Sequence, residues 1–597
     1  DAPSEAGEAE PVLVAGFSDR EPEDSTVIVS PTLKINLDLC ELDEALLKRL
    51  ACCEKFRHES VSVRNYIREF RPNVAVIGSS PSFIESFLDT YGGLLDVTPV
   101  QVNSPDSLRL SLHSGKVVIR VENPLPLDPS LCNLCRKCVA VCKESAIEPE
   151  PRLNLEACNL CGECVSICPE GAIDLHRVEV REIRADVIVA EQGLKLPDGD
   201  DEGLGAVVFS PDNLEPLFER IGSFLVEEAV SYDVALCGYD MRLSKGCKKC
   251  ASVCGVSALE LGPKGVEIDA SSCAECGNCV SVCPTGALDY ERFPSKVFFK
   301  YFSQLKLPQG VSLVFGNEEV LRKFWWKNPS LKLSKTIFIE HPQPFALGSH
   351  QFVFLSLLGA ERIVVVRADD LGEEMREMEK EAEFTNSLLK ALFPGWEPVT
   401  TTDLSSLKTV LENRGPKRPS LPEIEDEISY GQRRKLFNFA LSHLFSHRKS
   451  HEDEIFVPSD TFSKLSLADN CCLCLACVNV CGVGAFEADS NSFSLCHTRM
   501  KCINCKACQE VCPEGAVSLE DGLFLDEDYF KRQTLAQDEP VTCPKCGKVF
   551  GNKKSFERTI RILKESNRFS KRQIEVLSLC EECRAVAMLE EAFGEKE

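Results

Sequence analysis

The sequence predicts an α+β multidomain protein: three small cysteine-dense modules are inserted between small α/β domains, and a four-cysteine ribbon-like segment lies near the end. Three observations carry this. The 597 residues are too many for a single core and allow roughly four domains of about 150 residues each. The 33 cysteines fall mainly in short runs spaced Cys-x2-Cys-x2-Cys-x3-Cys, which come in pairs separated by long stretches poor in cysteine. Between the runs, short β-branched apolar segments alternate with helix-length amphipathic ones, the pattern of small α/β units.

Composition narrows the class. Hydrophobic residues at 44% and charged residues at 27% describe a folded soluble chain. No run of about 18 uncharged apolar residues occurs, the closest, Phe352 to Val366, being broken by Glu361 and Arg362, so no transmembrane span is expected. The opening DAPSEAGEAEP has no secretory apolar core and reads as a flexible tail. A formal charge of −26 makes nucleic acid and anionic membranes poor partners. Disulfide-rich secreted chains are short, so these cysteines point instead to a reducing, anaerobic cytoplasm.

Residues 1–125 read as an α/β domain, with TVIVS, ELDEALLKRL, SVRNYIREF and NVAVIGSSPSFIESFLDTY alternating strand and helix character. The last stretch resembles the N-terminal domain of the A subunit of heterodisulfide reductase, where a strand ends in a Cys-Ser-Pro turn. Ser79, Ser80 and Pro81 stand there instead, which implies a scaffold that has lost its ligand. Cys40, Cys52 and Cys53 have no ligand spacing and read as buried small apolar residues, a redox or metal role being the alternative.

Residues 126–178 hold Cys132, Cys135, Cys138 and Cys142, then Cys158, Cys161, Cys164 and Cys168, the last followed by Pro169. Three thiolates two residues apart wrap three corners of a 4Fe-4S cube, and the fourth must come from elsewhere. The pair of runs resembles the bacterial two-cluster ferredoxins, in which the last cysteine of each run serves the other cube. That resemblance implies one cube on Cys132, Cys135, Cys138 and Cys168, and a second on Cys158, Cys161, Cys164 and Cys142.

Residues 179–236 read as a connecting α/β remnant. EIRADVIVAEQGLKLP resembles the strand returning from a dinucleotide domain in the heterodisulfide reductase family, but no G-x-G-x-x-G follows a strand, so no flavin site is expected. The second module, 237–292, is imperfect: Ser244 stands where the first cysteine of the first run belongs. Cys237 is the nearby replacement, since a serine oxygen is a harder ligand than thiolate and GYDMRLSKG can form a loop. The expected sets are Cys237, Cys247, Cys250 and Cys283, and Cys273, Cys276, Cys279 and Cys254. Ligation by Ser244, or a three-iron cluster, is the alternative.

Residues 293–412 carry no cysteine and alternate strands with helices, as a small parallel sheet requires. The stretch Phe352 to Val366 resembles the delta subunit of methyl-viologen-reducing hydrogenase but lacks that family's cysteines, which leaves a structural or docking role. Trp325 and Trp326 read as packing or interface residues. Residues 413–462 are a linker, RGPKRPSLPEIEDE, and a helix whose His443, His447 and His451 recur every four residues without a completing ligand. Residues 463–525 repeat the full module, the sets being Cys471, Cys474, Cys477 and Cys512, and Cys502, Cys505, Cys508 and Cys481, with Cys472 and Cys496 as packed thiols.

In residues 526–597, Cys543, Cys546, Cys580 and Cys583 form two Cys-x2-Cys turns suited to one structural zinc, a single iron or no metal being the alternatives. The expected cofactors are therefore six 4Fe-4S clusters and one Zn2+. The expected role is a non-catalytic electron-transfer subunit. Its partners would be other subunits of a heterodisulfide-reductase-like complex and a soluble ferredoxin. A catalytic oxidoreductase and a structural assembly subunit are the rival readings.

Overall fold

The computed structural model describes residues 12–17, 27–102, 107–113, 116–128, 131–147, 153–155, 157–194, 196, 207–219, 221–367, 376–413, 415–422, 424, 432–449, 454–489, 491–566 and 568–593. The tail at 1–11, His451 and residues 414, 423 and 425–427 of the linker lie outside them. The chain forms two compact units, residues 65–226, and residues 1–64 with 227–597.

The smaller unit is built on a four-stranded parallel sheet ordered Val208–Phe209, Val187–Ala190, Asn73–Gly78, Asp96–Gln101. Val74 to Ile77, Ile188 and Val189 are fully buried because such a sheet is covered on both faces. Helix Pro81–Tyr91 covers one face through Ile84 and Phe87. Leu108, Val117 and Ile119 of an antiparallel sheet cover the other. The segment expected as a connecting remnant thus supplies a central strand. At the serine turn, Ser79 N, Ser79 Oγ and Ser80 N donate to the Glu191 carboxylate at 2.7, 2.9 and 3.1 Å. Those bonds hold the Glu191 carboxyl below its ordinary range and close the turn. The first cysteine module is inserted between two paired strands, Pro124 lying opposite Val178.

The larger unit is centred on the cysteine-free stretch, a parallel sheet ordered Thr336–Glu340, Val311–Gly316, Ala360–Arg367, Val399–Asp403. Helices Ser295–Leu305 and Ser349–Leu358 bury Phe298, Phe302, Phe352 and Phe354 against one face, and helix Glu318–Lys327 buries Val320, Leu321 and Phe324 against the other. The expectation of one domain over 1–125 is corrected here, because residues 27–60 fold onto this sheet. Asn36 Nδ2 donates to Phe338 O at 2.6 Å and its Oδ1 accepts from Phe338 N at 3.0 Å, while Arg57 pairs with Glu340 at 2.7 Å. Cys40 and Cys53 are buried, and burial pushes both thiols up to about 12, but Cys52 is exposed, contrary to expectation. Trp325 donates to Asp38 at 2.6 Å, and Trp326 is 76% exposed.

Each pair of cysteine runs sits in the same frame of two short antiparallel pairings. An outer pair joins the residues before the first run to those after the second: Leu127 with Ile173, Val230–Tyr232 with Leu288–Tyr290, and Ser463–Leu467 with Val517–Asp521. An inner pair lies between the runs: Ile147 with Leu153, Leu259–Gly262 with Gly265–Ile268, and Phe486–Asp489 with Ser494–Thr498. Among the described residues no helix is long and apolar enough to cross a membrane.

Candidate metal centres

The last cysteine of every run opens the same turn. Cys142, Cys168, Cys254, Cys283, Cys481 and Cys512 are each followed at the third position by Gly or Ser with positive φ, between 50° and 78°, and at the fourth by Ala. The left-handed residue aims the alanine N–H back at the sulfur: Ala146, Ala172, Ala258, Ala485 and Ala516 donate to their Sγ at 3.4, 3.3, 3.2, 3.2 and 3.3 Å. At Cys283 the Thr285 hydroxyl takes the Ala287 N–H, and Leu288 N donates to Sγ at 3.5 Å instead. A backbone N–H on a sulfur stabilises the thiolate and tunes any cluster it ligates. This Cys-x2-(Gly/Ser)-Ala signature was legible in the sequence and marks the runs' ends independently of the proline that follows only some of them.

The first three cysteines of five runs lie on loops with two left-handed residues, Leu134 and Arg136, Leu160 and Gly162, Glu275 and Gly277, Leu473 and Leu475, Asn504 and Lys506. Only two of these ten are Gly, so each loop holds side-chain-bearing residues in a region costing on the order of 1–3 kcal/mol apiece. Such strain persists where something fixes the loop, and three thiols turned to one centre supply the reason. In the first module, Asn133 joins Cys135 N to Glu170, and Asn159 joins Cys161 N to Glu144, so each loop is tied to the turn of the other run. A cavity of about 190 Å3 opens among Cys142, Cys158, Cys161 and Cys164.

In the second and third modules, cysteines from both runs of a module lie close enough for their charges to act on one another. Burial first, then the charges of Cys283 and Cys237, push the Cys250 thiol up to about 12; burial, then Cys276, Cys273, Cys250 and Cys254, push Cys279 up. In the third module burial raises Cys471, with Cys512 and Cys474 adding to it, and raises Cys505 to about 11, with Cys502 and Cys481 adding to it. Buried thiols this close stay protonated by themselves, so a positively charged core is what would let them act as thiolates. Four sulfur donors per group, with N–H groups aimed at the sulfurs, fit a 4Fe-4S cube.

The imperfect run departs locally. Tyr239–Asp240 and Lys245–Gly246 form a hairpin, and Ser244 is exposed on its loop with φ 53°. Cys247 N donates to Gly238 O at 3.1 Å, which brings Cys237 beside Cys247. Cys237 packs against the same buried cluster that holds Cys279 and Cys283, and its charge bears on Cys250. The chain therefore gathers Cys237, and leaves Ser244 outward.

The second and third modules meet directly. The charge of Cys505 bears on Cys247, Lys245 pairs with Glu510 at 3.2 Å, and Lys249 pairs with Asp460 at 2.7 Å. Two consecutive arginines of helix Arg433–Ser446 hold both sides. Arg433 donates to Val280 O at 2.7 Å and pairs with Asp289 at 3.0 Å; Arg434 donates to Met500 O at 3.1 Å and Cys502 O at 2.7 Å, its guanidinium stacked on Phe462. Sequence reasoning missed this pair, which resembles any helix-opening basic doublet. Near the end of the same helix, the rings of His443 and of His447, which caps it, lie 4.9 Å apart and tilted.

Near the end of the chain, the sulfurs of Cys543, Cys546, Cys580 and Cys583 all lie within 4.8 Å of one another, Cys546 and Cys580 at 3.5 Å. A tetrahedral zinc with bonds of about 2.3 Å spaces its sulfurs by ~3.8 Å. Cys543 and Cys580 are buried, and N–H donation, chiefly from Cys580, lowers the Cys543 thiol to about 6. The group fits a four-thiolate ion. Cys472 and Cys496 are both buried.

Family models match three parts of the chain: a 4Fe-4S dicluster domain over residues 245–287, and a 4Fe-4S binding domain over residues 151–174 and 498–518. No curated protein matches the chain.

Proposed function

We propose that this chain, which carries 4Fe-4S domains of the electron-transfer type, is a relay subunit holding six cubes in three two-cube modules, with one structural zinc. When bound, each cube accepts or gives one electron without making or breaking a bond to substrate. The observation that carries the count is the sixfold recurrence of one turn, with an N–H on the closing cysteine or, at Cys283, one residue further on. The ligand sets are those stated above, with Cys237 in place of Ser244. The likeness of the serine turn favours a heterodisulfide-reductase-like complex in an anaerobic, reducing cytoplasm as the setting. The closed Ser79–Glu191 turn supplies no thiol to a further centre. Potentiometric EPR on anaerobically purified protein tests the relay. Several one-electron signals support it, and a single signal refutes it.

A groove of about 760 Å3 favours one rival, a catalytic subunit. It runs between the second and third modules, lined by Leu236, Phe439 and Met500 with Arg434, Lys435 and Lys501 at hand. A tightly bound organic redox cofactor, seen as stoichiometric absorbance in the purified chain, would favour that reading over the relay.

A further inference from the structure

Charge is unevenly placed along this chain. Against a formal net of −26, residues 543–572 contain ten Lys and Arg and only two Glu. This stretch forms a hairpin with helix Lys553–Glu565, and the helix buries none of its residues. Arg561, Lys564 and Arg568 are exposed, interleaved with Ile562 and Phe569, which are 45% and 42% exposed.

The stretch is seated beside the Cys471 group. Asn552 Nδ2 donates to Cys472 O at 3.3 Å, and Arg558 is ion-paired with Glu514, two residues beyond Cys512. Lys554 bears on Cys471, and Arg558 on Cys472 and Cys474. Cys474 is itself exposed. An electron can therefore enter or leave at an accessible thiol flanked by the chain's most basic surface segment.

We propose that this basic segment is the docking face for an acidic electron-carrier protein that exchanges electrons with the centre at Cys471, Cys474, Cys477 and Cys512. The proposal rests on the relay reading above. Charge complementarity selects the partner: a carrier rich in Asp and Glu is repelled by the rest of an acidic chain and drawn to this segment, which orients it as well as attracting it. The interleaved Ile562 and Phe569 supply the small apolar centre that a transient protein contact uses. In each transfer one electron leaves the carrier, which is oxidised, and reduces the centre; no proton or group moves. The turn of Cys543 and Cys546 lies within the hairpin that Asn552 ties to Cys472.

The test uses the full-length protein and, as probe, a reduced bacterial two-cluster ferredoxin of strongly negative charge. The variant is R561E/K564E/R568E, which touches neither the zinc cysteines nor the Arg558 and Asn552 anchors. Wild type should accept electrons in stopped-flow at a rate that falls steeply with salt. The variant should be slower by about 10-fold to 10^3-fold at low salt, nearly salt-independent, and weaker in calorimetric binding of the oxidised carrier. Its iron and zinc content should match wild type. Equal rates and equal carrier binding in the two proteins would overturn the proposal, as would binding of single-stranded DNA at this segment with none of the carrier. Absence of iron from wild type would sink the relay reading, while the calorimetric comparison would still decide the docking face.

Discussion

Replacing Cys237 with alanine should remove one cube and leave the others in place. Cys237 packs against the buried cluster that includes Cys279 and Cys283, and its neighbour Gly238 receives Cys247 N–H at 3.1 Å. Ser244 lies exposed at the tip of the hairpin. A cube holds four irons, so C237A should lose about 4 of about 24 irons, roughly one sixth, and S244A none. A second variant probes the same corner without touching a thiol. Gly246 has φ +106°, and a Cβ there would lie 2.3 Å from Gly238 O, so G246A must displace the strand that presents Cys247. It should degrade the same cube as C237A. Anaerobic iron analysis and EPR of the reduced proteins read both effects. Full iron content in C237A together with loss in S244A would refute the reasoning and assign the corner to oxygen ligation.

Further outcomes follow from the same geometry. Arg434 places a buried positive charge against Cys502 O, and unit charges ~8 Å apart at an effective dielectric of about 20 interact by roughly 2 kcal/mol. R434Q should therefore lower the midpoint potential of the cube at Cys502, Cys505, Cys508 and Cys481 by tens of millivolts, with R434K preserving most of it; an unchanged potentiometric titration would contradict this. C546S, or zinc chelation, should loosen residues 540–593 toward proteolysis, since four-thiolate sites supply folding free energy directly. An unchanged protease pattern, or elemental analysis without zinc, would count against the site. The purified chain should show no flavin absorbance and turn over no organic substrate alone; stoichiometric flavin would reverse that expectation.

The cysteine runs were legible because a cube demands thiols at fixed short spacing, a local constraint that sequence carries in full. The parallel sheet of residues 311–403 was legible for the same reason: buried strands such as Ala360–Arg367 carry short apolar runs, here Ile363 to Val366. The allegiance of residues 27–60 was not, because the contacts of Asn36 with Phe338 and Arg57 with Glu340 join positions about three hundred residues apart. Helix Glu44–Ser60 is an ordinary amphipathic segment that would suit many surfaces. Cys52 and Cys53 are adjacent on that helix, so one faces the core and the other water, and composition cannot separate them. The meeting of the second and third modules was equally hidden, since Cys247 and Cys505 belong to runs with no sequence sign of contact.

The central claim is the number of cubes. Anaerobic iron and acid-labile sulfide determination on the full-length protein tests it most directly, with about 24 irons and about 24 sulfides per chain predicted from six four-iron sites. A value near 12 of each would contradict the three-module account.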